Sequence, residues 1–189
     1  KKITVDVVGH THIDTAWLWR LRHTREKCAR SFSTVNRLME EYPEYIFLHT
    51  QAQQYDFIRR DYPDIFEQIR RRAAEGRWEP AGGMWVECDC NLPSGESIVR
   101  QLLYGTRFFE GQFGNHSSYL WLPDVFGYSA ALPQILRQSE IDTFITTKIS
   151  WNDQNTLPYD TFEWRGIDGS SVLTHFITTT SKGETKYTY

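Results

Sequence analysis

The chain has 189 residues, 40% of them hydrophobic and 24% charged, with a formal net charge of −3. That length supports one sizeable core, so one domain is expected, and the composition excludes a disordered chain. A slightly acidic balance leaves no basic footprint for nucleic acid, and no apolar run approaches the roughly 20 residues of a membrane span.

The first residues, Lys1-Lys2-Ile3-Thr4-Val5-Asp6-Val7, hold charges without a long apolar stretch, so they are no secretion signal. Residues 3–8 read as a strand entered without preamble, as though a segment upstream were missing. Residues 25–41 form an amphipathic helix with Cys28, Phe32, Val35 and Leu38/Met39 on one face, and Pro43 follows its end. Residues 45–48 are a second strand. Helices are expected over 53–60 and 64–74, with Gly76 at the C-terminal cap, and a short strand starts at 78–80. Ser94 to Glu96 open a helix that continues through Ile98 to Phe109. A strand over 119–122, a helix over 131–138 and a strand over 143–147 come next. Residues 161–164 and 172–177 pair as a hairpin around Gly166 and Asp168-Gly169, and 178–189 read as a polar loop. Strands alternating with helices imply a mainly parallel sheet.

Cys28, Cys88 and Cys90 are odd in number, and the last two are too close for an easy mutual disulfide. Free thiols in a reduced compartment, the cytoplasm, are the simplest reading. Aromatics make up 15% of the chain, with seven Trp, a share that decides nothing alone.

Polar clusters recur after the strands: His10-Thr11-His12-Ile13-Asp14, His49-Thr50-Gln51, Trp85-Val86-Glu87-Cys88-Asp89, and Asp124. In α/β barrels the active site collects at the C-terminal strand ends. On an extended segment His12 and Asp14 point to one side and can offer a nitrogen and an oxygen to one metal. His10 shares that parity, so spacing does not choose between His10 and His12, and a His–Asp hydrogen bond pinning a loop competes with both. Asp124, hemmed by aromatics and a Gly turn, needs a cation or a donor. Its competing reading is a cap for the helix near Ala131, which lies far for a side chain that reaches only a first turn. Trp17, Trp85, Glu87, Asp89 and Lys148 are candidates for contacts with substrate. For Trp17 the core is an equal alternative, for Glu87 and Asp89 a loop-holding role, and for Lys148 plain solvation. Glu96 suits a first helical turn, where acids favour the dipole, and His23, His116 and His175 carry no expected role.

His12-Ile13-Asp14-Thr15-Ala16-Trp17-Leu18-Trp19, Gly82-Gly83-Met84-Trp85-Val86-Glu87, Asn91-Leu92-Pro93-Ser94-Gly95-Glu96 and Trp121-Leu122-Pro123-Asp124-Val125-Phe126-Gly127-Tyr128-Ser129 occur in that order. Together they resemble the class II α-mannosidases, glycoside hydrolase family 38, in the cytosolic and bacterial branch. The resemblance implies that residues 1–189 are one unit, the first part of an incomplete seven-stranded parallel β/α barrel. It implies one zinc ion bound by His12, Asp14 and Asp124, with Asp124 also the catalytic nucleophile and Trp17 stacked beneath the mannose. His10 would be a neighbour rather than a ligand. The implied reaction releases terminal α-linked mannose from oligosaccharides or N-glycan-derived glycans, with retention, through a glycosyl-Asp124 intermediate. The family's fourth ligand, a His, and its acid/base Asp would lie beyond this chain, which alone would be inactive. The sequence leaves room for a homo-oligomer of the full-length protein. Two other readings compete: a metal-dependent carbohydrate deacetylase or amidohydrolase, whose metal-bound water would attack and leave no adduct on Asp124, and a non-catalytic sugar-binding scaffold.

Overall fold

In a computed structural model, which describes residues 3–151, 154–155, 157–177, 179–180 and 187–188, short strands alternate with helices. The first half runs β1 (Gly9–His10), α1 (Leu21–Glu41), β2 (Phe47–His49), α2 (Ala52–Asp61), α3 (Pro63–Ala74) and β3 (Trp78–Pro80). β1, β2 and β3 pair in that order, all parallel. Helix α1 forms where the apolar spacing requires, burying Cys28, Phe32, Val35 and Met39 on one stripe. That stripe meets Phe47, Tyr55, Ile58, Ile69 and Trp78 in the first core cluster. Pro63 opens α3 at a position where a missing N–H costs nothing, and Gly76 turns left-handed (φ 72°) just past its end.

The second half runs α4 (Gly95–Phe113), β4 (Tyr119–Trp121), α5 (Leu132–Gln138), β5 (Thr143–Thr146), a short 3₁₀ turn (Lys148–Trp151), β6 (Thr161–Arg165) and β7 (Ser171–Phe176). Ser94 caps α4 by accepting from Ser97 N. The sheet order is β4-β5-β7-β6, with β4, β5 and β7 parallel and β6 antiparallel to β7. A second core cluster lies between this sheet and helices α4 and α5, built on Leu102, Leu120, Leu136 and Phe144.

The architecture is thus mixed α/β with parallel sheets. Side chains join the two halves: Tyr119 Oη donates to Glu79, Asn115 Nδ2 to Pro80 O (2.7 Å), and Gly82 N to Ser117 Oγ (3.2 Å).

Two expectations change. The first strand is two residues long rather than spanning 3–8, because β2 begins only at Phe47, after the turn at Pro43, and offers no partner earlier. Ile3, Val5 and Val7 are left more than three-quarters exposed. The hairpin expected around Gly166 and Asp168-Gly169 is present as β6 and β7, and it forms an antiparallel edge. In place of a polar loop, β8 (Thr179–Thr180) and β9 (Tyr187–Thr188) pair antiparallel. Asn152, in the polar stretch after β5, lies outside the described residues.

Candidate active site

A hollow of about 440 Å³ opens at the C-terminal ends of β1 and β4, lined by His12, Asp14, Trp17, Glu87, Asp89, Asp124, Phe126 and Lys148 among others. His12 and Asp14 arrive on the loop after β1. Buried Gln51 and Gln54 fix that loop by donating to Ile13 O, while Thr24 Oγ1 of α1 donates to Asp14 O (3.1 Å). Asp124 arrives on the loop after β4, whose Leu122 O accepts from Tyr128 Oη (3.0 Å). It does not cap a helix: α5 starts at Leu132 with no side-chain cap.

His12 Nε2 lies 3.2 Å from Asp14 Oδ1 and 3.5 Å from Asp124 Oδ2. The three side chains offer ligand atoms all within 4.8 Å of one another. His12 Nδ1 faces Glu87 Oε2 at 2.7 Å. Burial opposes the charged imidazolium, but the contact with Glu87 and the charges of Glu87, Asp14 and Asp124 outweigh it and lift His12 to about 9. Lys148, nearly buried, reaches Asp124 Oδ1 at 2.5 Å and sits 4.5 Å above the Phe126 ring.

The structure separates the two histidines that spacing left equal. His10 Nδ1 donates to Leu48 O (3.1 Å) and Nε2 accepts from Trp121 Nε1 (3.2 Å), so neither nitrogen is free for the cluster. Burial holds His10 below the usual imidazole range. Trp17 lines the hollow with 68% of its surface exposed, which removes the core reading. Asp89 also lines it, while its Oδ1 accepts from Asn91 N and Leu92 N (2.8 Å each) and so holds its own loop.

Trp85 does not reach the hollow. Its indole donates to Gln53 Oε1 (2.9 Å) and packs edge-on against Phe108, because its backbone is bound to Gln101 O of α4. Thr50, Gln51 and Gln54 are the residues sequence reasoning missed as supports. The signal was present in the buried polar run after β2, which needs partners inside the fold.

The profile described as "Glycosyl hydrolases family 38 N-terminal domain" matches residues 2–188. The chain belongs to glycosyl hydrolase family 38. Among curated relatives of this family-38 domain, Alpha-mannosidase G of Dictyostelium discoideum is 55% identical over 169 residues, 89% of this chain and 16% of that protein. Alpha-mannosidase 2C1 of Homo sapiens is 52% identical over 173 residues, 92% of this chain and 17% of that protein. The chain therefore spans about a sixth of the length of these relatives. The fold is shared with the crystal structure of an alpha-mannosidase from Enterococcus faecalis V583 at a TM-score of 0.75 and 21% identity, over 90% of this chain and 19% of that one.

Proposed function

We propose that the protein carrying this family-38 domain is a zinc-dependent, retaining α-mannosidase that releases terminal α-linked mannose from oligosaccharides or N-glycan-derived glycans. The observation behind the metal is the spacing of its donors. Two ligands on a tetrahedral zinc, each about 2.1 Å from the ion, stand roughly 3.4 Å apart. The gaps of 3.2 and 3.5 Å from His12 Nε2 to Asp14 and Asp124 fit that distance. The donor types, one imidazole and two carboxylates, fit zinc as well. When bound, zinc would hold two sugar hydroxyls and fix the distorted ring, a template role.

Asp124 is the nucleophile. It attacks the anomeric carbon as the bond to the leaving oxygen breaks, and the leaving oxygen takes a proton from an acid outside this chain. Water then releases mannose with its α configuration retained. Lys148 anchors one Asp124 oxygen, and exposed Trp17 offers a flat face to the sugar ring. Asp89, at the cavity wall, is within the surface a sugar would meet.

The two parallel sheets are read as neighbouring arcs of an incomplete seven-stranded β/α barrel, supported by the contacts that join β3 to β4. The fourth metal ligand and the general acid are assigned to residues beyond this chain. The cytoplasm is the proposed location, supported by three free thiols. Among the described residues, no helix is long and apolar enough to cross a membrane.

The test uses the full-length protein and a slow-reacting fluorinated mannosyl substrate, whose fluorine beside the reacting carbon destabilises the oxocarbenium-like transition state and lets the adduct accumulate. Peptide mapping should find the adduct on Asp124, and the first product should be the α anomer. Asp124→Asn should lose activity and zinc together. An adduct elsewhere, or an inverted product, defeats the assignment; no adduct with an active metal-bound water would favour a deacetylase instead.

A further inference from the structure

Glu87, a candidate for substrate contact or for holding its loop, lines the hollow with both its oxygens turned to the protein. The side chain is only 4% exposed. Oε1 accepts from Thr50 Oγ1. Oε2 is buried without a well-aligned hydrogen-bond donor, and its charge partner is His12 Nδ1 at 2.7 Å. The backbone beneath is tied to α4, with Trp85 N bonded to Gln101 O and Val86 N to Gln101 Oε1 (2.9 Å each). The carboxylate is therefore placed by the scaffold rather than by the loop's own freedom.

We propose that Glu87 is a positioning residue for the metal site: it holds the proton of His12 on Nδ1 and aims Nε2 at Asp14 and Asp124, with Thr50 holding Glu87 in turn. The inference rests on the metal reading above. A neutral imidazole carries one N–H and one lone pair, and either nitrogen can serve as the ligand. An acceptor at Nδ1 keeps the proton there, fixes the ring plane and leaves the lone pair of Nε2 toward the cluster. A carboxylate does this more strongly than a carbonyl, because its charge raises the basicity of the ligating nitrogen. The geometry already has that polarity, with Nδ1 on the Glu87 side and Nε2 3.2 to 3.5 Å from the two aspartates. Burial of the Glu87 carboxylate, 4% exposed, limits competition from water on its side of the contact. With Oε1 bonded to Thr50 and Oε2 buried against His12, Glu87 offers almost no surface to a sugar hydroxyl, so its removal should register in metal affinity before it registers in sugar affinity.

The experiment strips the full-length protein with a chelator and measures zinc affinity by competition with a chelating dye. Cobalt is titrated in parallel, with its visible absorption band reporting the coordination geometry. Glu87→Ala should weaken zinc by about 10- to 100-fold and shift the cobalt band. Glu87→Gln should lose less, because its amide oxygen can still accept from Nδ1–H, and that graded rescue is not expected from a merely structural residue. Asp89→Asn should leave zinc affinity unchanged. Thr50→Val should give a smaller loss, and it keeps the test open if Glu87→Ala fails to fold. Wild-type affinity and an unshifted cobalt band in both Glu87 variants, beside a His12→Ala protein that binds no metal, would overturn the positioning role alone. A wild-type protein that takes up no stoichiometric zinc would overturn the metal reading and this inference with it.

Discussion

His49 stands directly after the apolar residues of β2, in a run that reads from sequence as part of a polar site. Its ring is instead fully buried, 4.6 Å from Phe32 and stacked at 6.2 Å with Phe47, and Nε2 donates to Gln54 Oε1 (3.0 Å). Burial, reinforced by nearby His10, pulls its pKa down to about 3. The folded ring is therefore neutral across the range in which an unfolded histidine, with an ordinary value near 6.5, takes up a proton. Above that value both states are neutral and the ring contributes nothing to pH dependence. As pH falls below it, the unfolded chain gains protons that the folded chain refuses, so stability is lost, by roughly 2 kcal/mol from this ring at pH 5. The imidazole resonances of His49 should stay flat from pH 7.5 to 5; a midpoint inside that window would refute the assignment. The same scale shows what a single sequence can tell about a site. The convergence of His12, Asp14 and Asp124 was legible because their motifs each follow a strand. His10 was not separable from His12, because its exclusion depends on Leu48 and Trp121, partners 38 and 111 residues away. Glu87 stood as a candidate for substrate contact or loop holding, but its place against His12 and Thr50 depends on three loops meeting.

Among the elements, the helices were legible wherever apolar residues recur at helical spacing, and the β6–β7 hairpin wherever Gly and Asp mark the turn. The strand at 3–8 was not, because alternation alone does not reveal whether a partner runs alongside. Close backbone contacts are also invisible to periodicity, and Gly105 in α4 is the sharpest case. A β-carbon there would fall 2.3 Å from Gly83 O and 2.4 Å from Met84 C, both backbone atoms that cannot swing aside. The glycine lets α4 press against the turn that leads to Glu87. That turn needs Gly82 as well, at φ 89°, with a β-carbon only 2.5 Å from Thr50 Cγ2. Intrinsic propensity would favour alanine in a helix by about 1 kcal/mol over glycine. Overpacking against fixed backbone costs about 1 to 3 kcal/mol, which should win. Gly105→Ala should therefore lower the urea midpoint despite the better helix former, and an unchanged or higher midpoint would show that α4 can shift outward at no cost.

Across the whole molecule, the proposed ligands do not come from one sheet. His12 and Asp14 follow β1 in the first sheet, and Asp124 follows β4 in the second. Each sheet has its own core cluster, and side-chain hydrogen bonds join the sheets between β3 and β4 and between Trp121 and His10. Asp124 thus faces His12 and Asp14 across that seam, with Lys148 on its other oxygen. A zinc ion there would act as a cross-link between two packed layers as well as a template for sugar. Binding to the folded state alone adds about 2.7 kcal/mol at a free metal concentration one hundred times the Kd. If the layers open together, that energy should slow amide exchange in both by up to about 100-fold, since about 1.4 kcal/mol is a factor of ten. The segments to follow by hydrogen exchange in the full-length protein are Phe47–His49 of β2 and Thr143–Thr146 of β5, neither of which holds a proposed ligand. Both should gain protection when zinc is added to the stripped protein, and neither should in His12→Ala. Protection confined to the two ligand loops would mean that the sheets open independently and that the ion does not couple them.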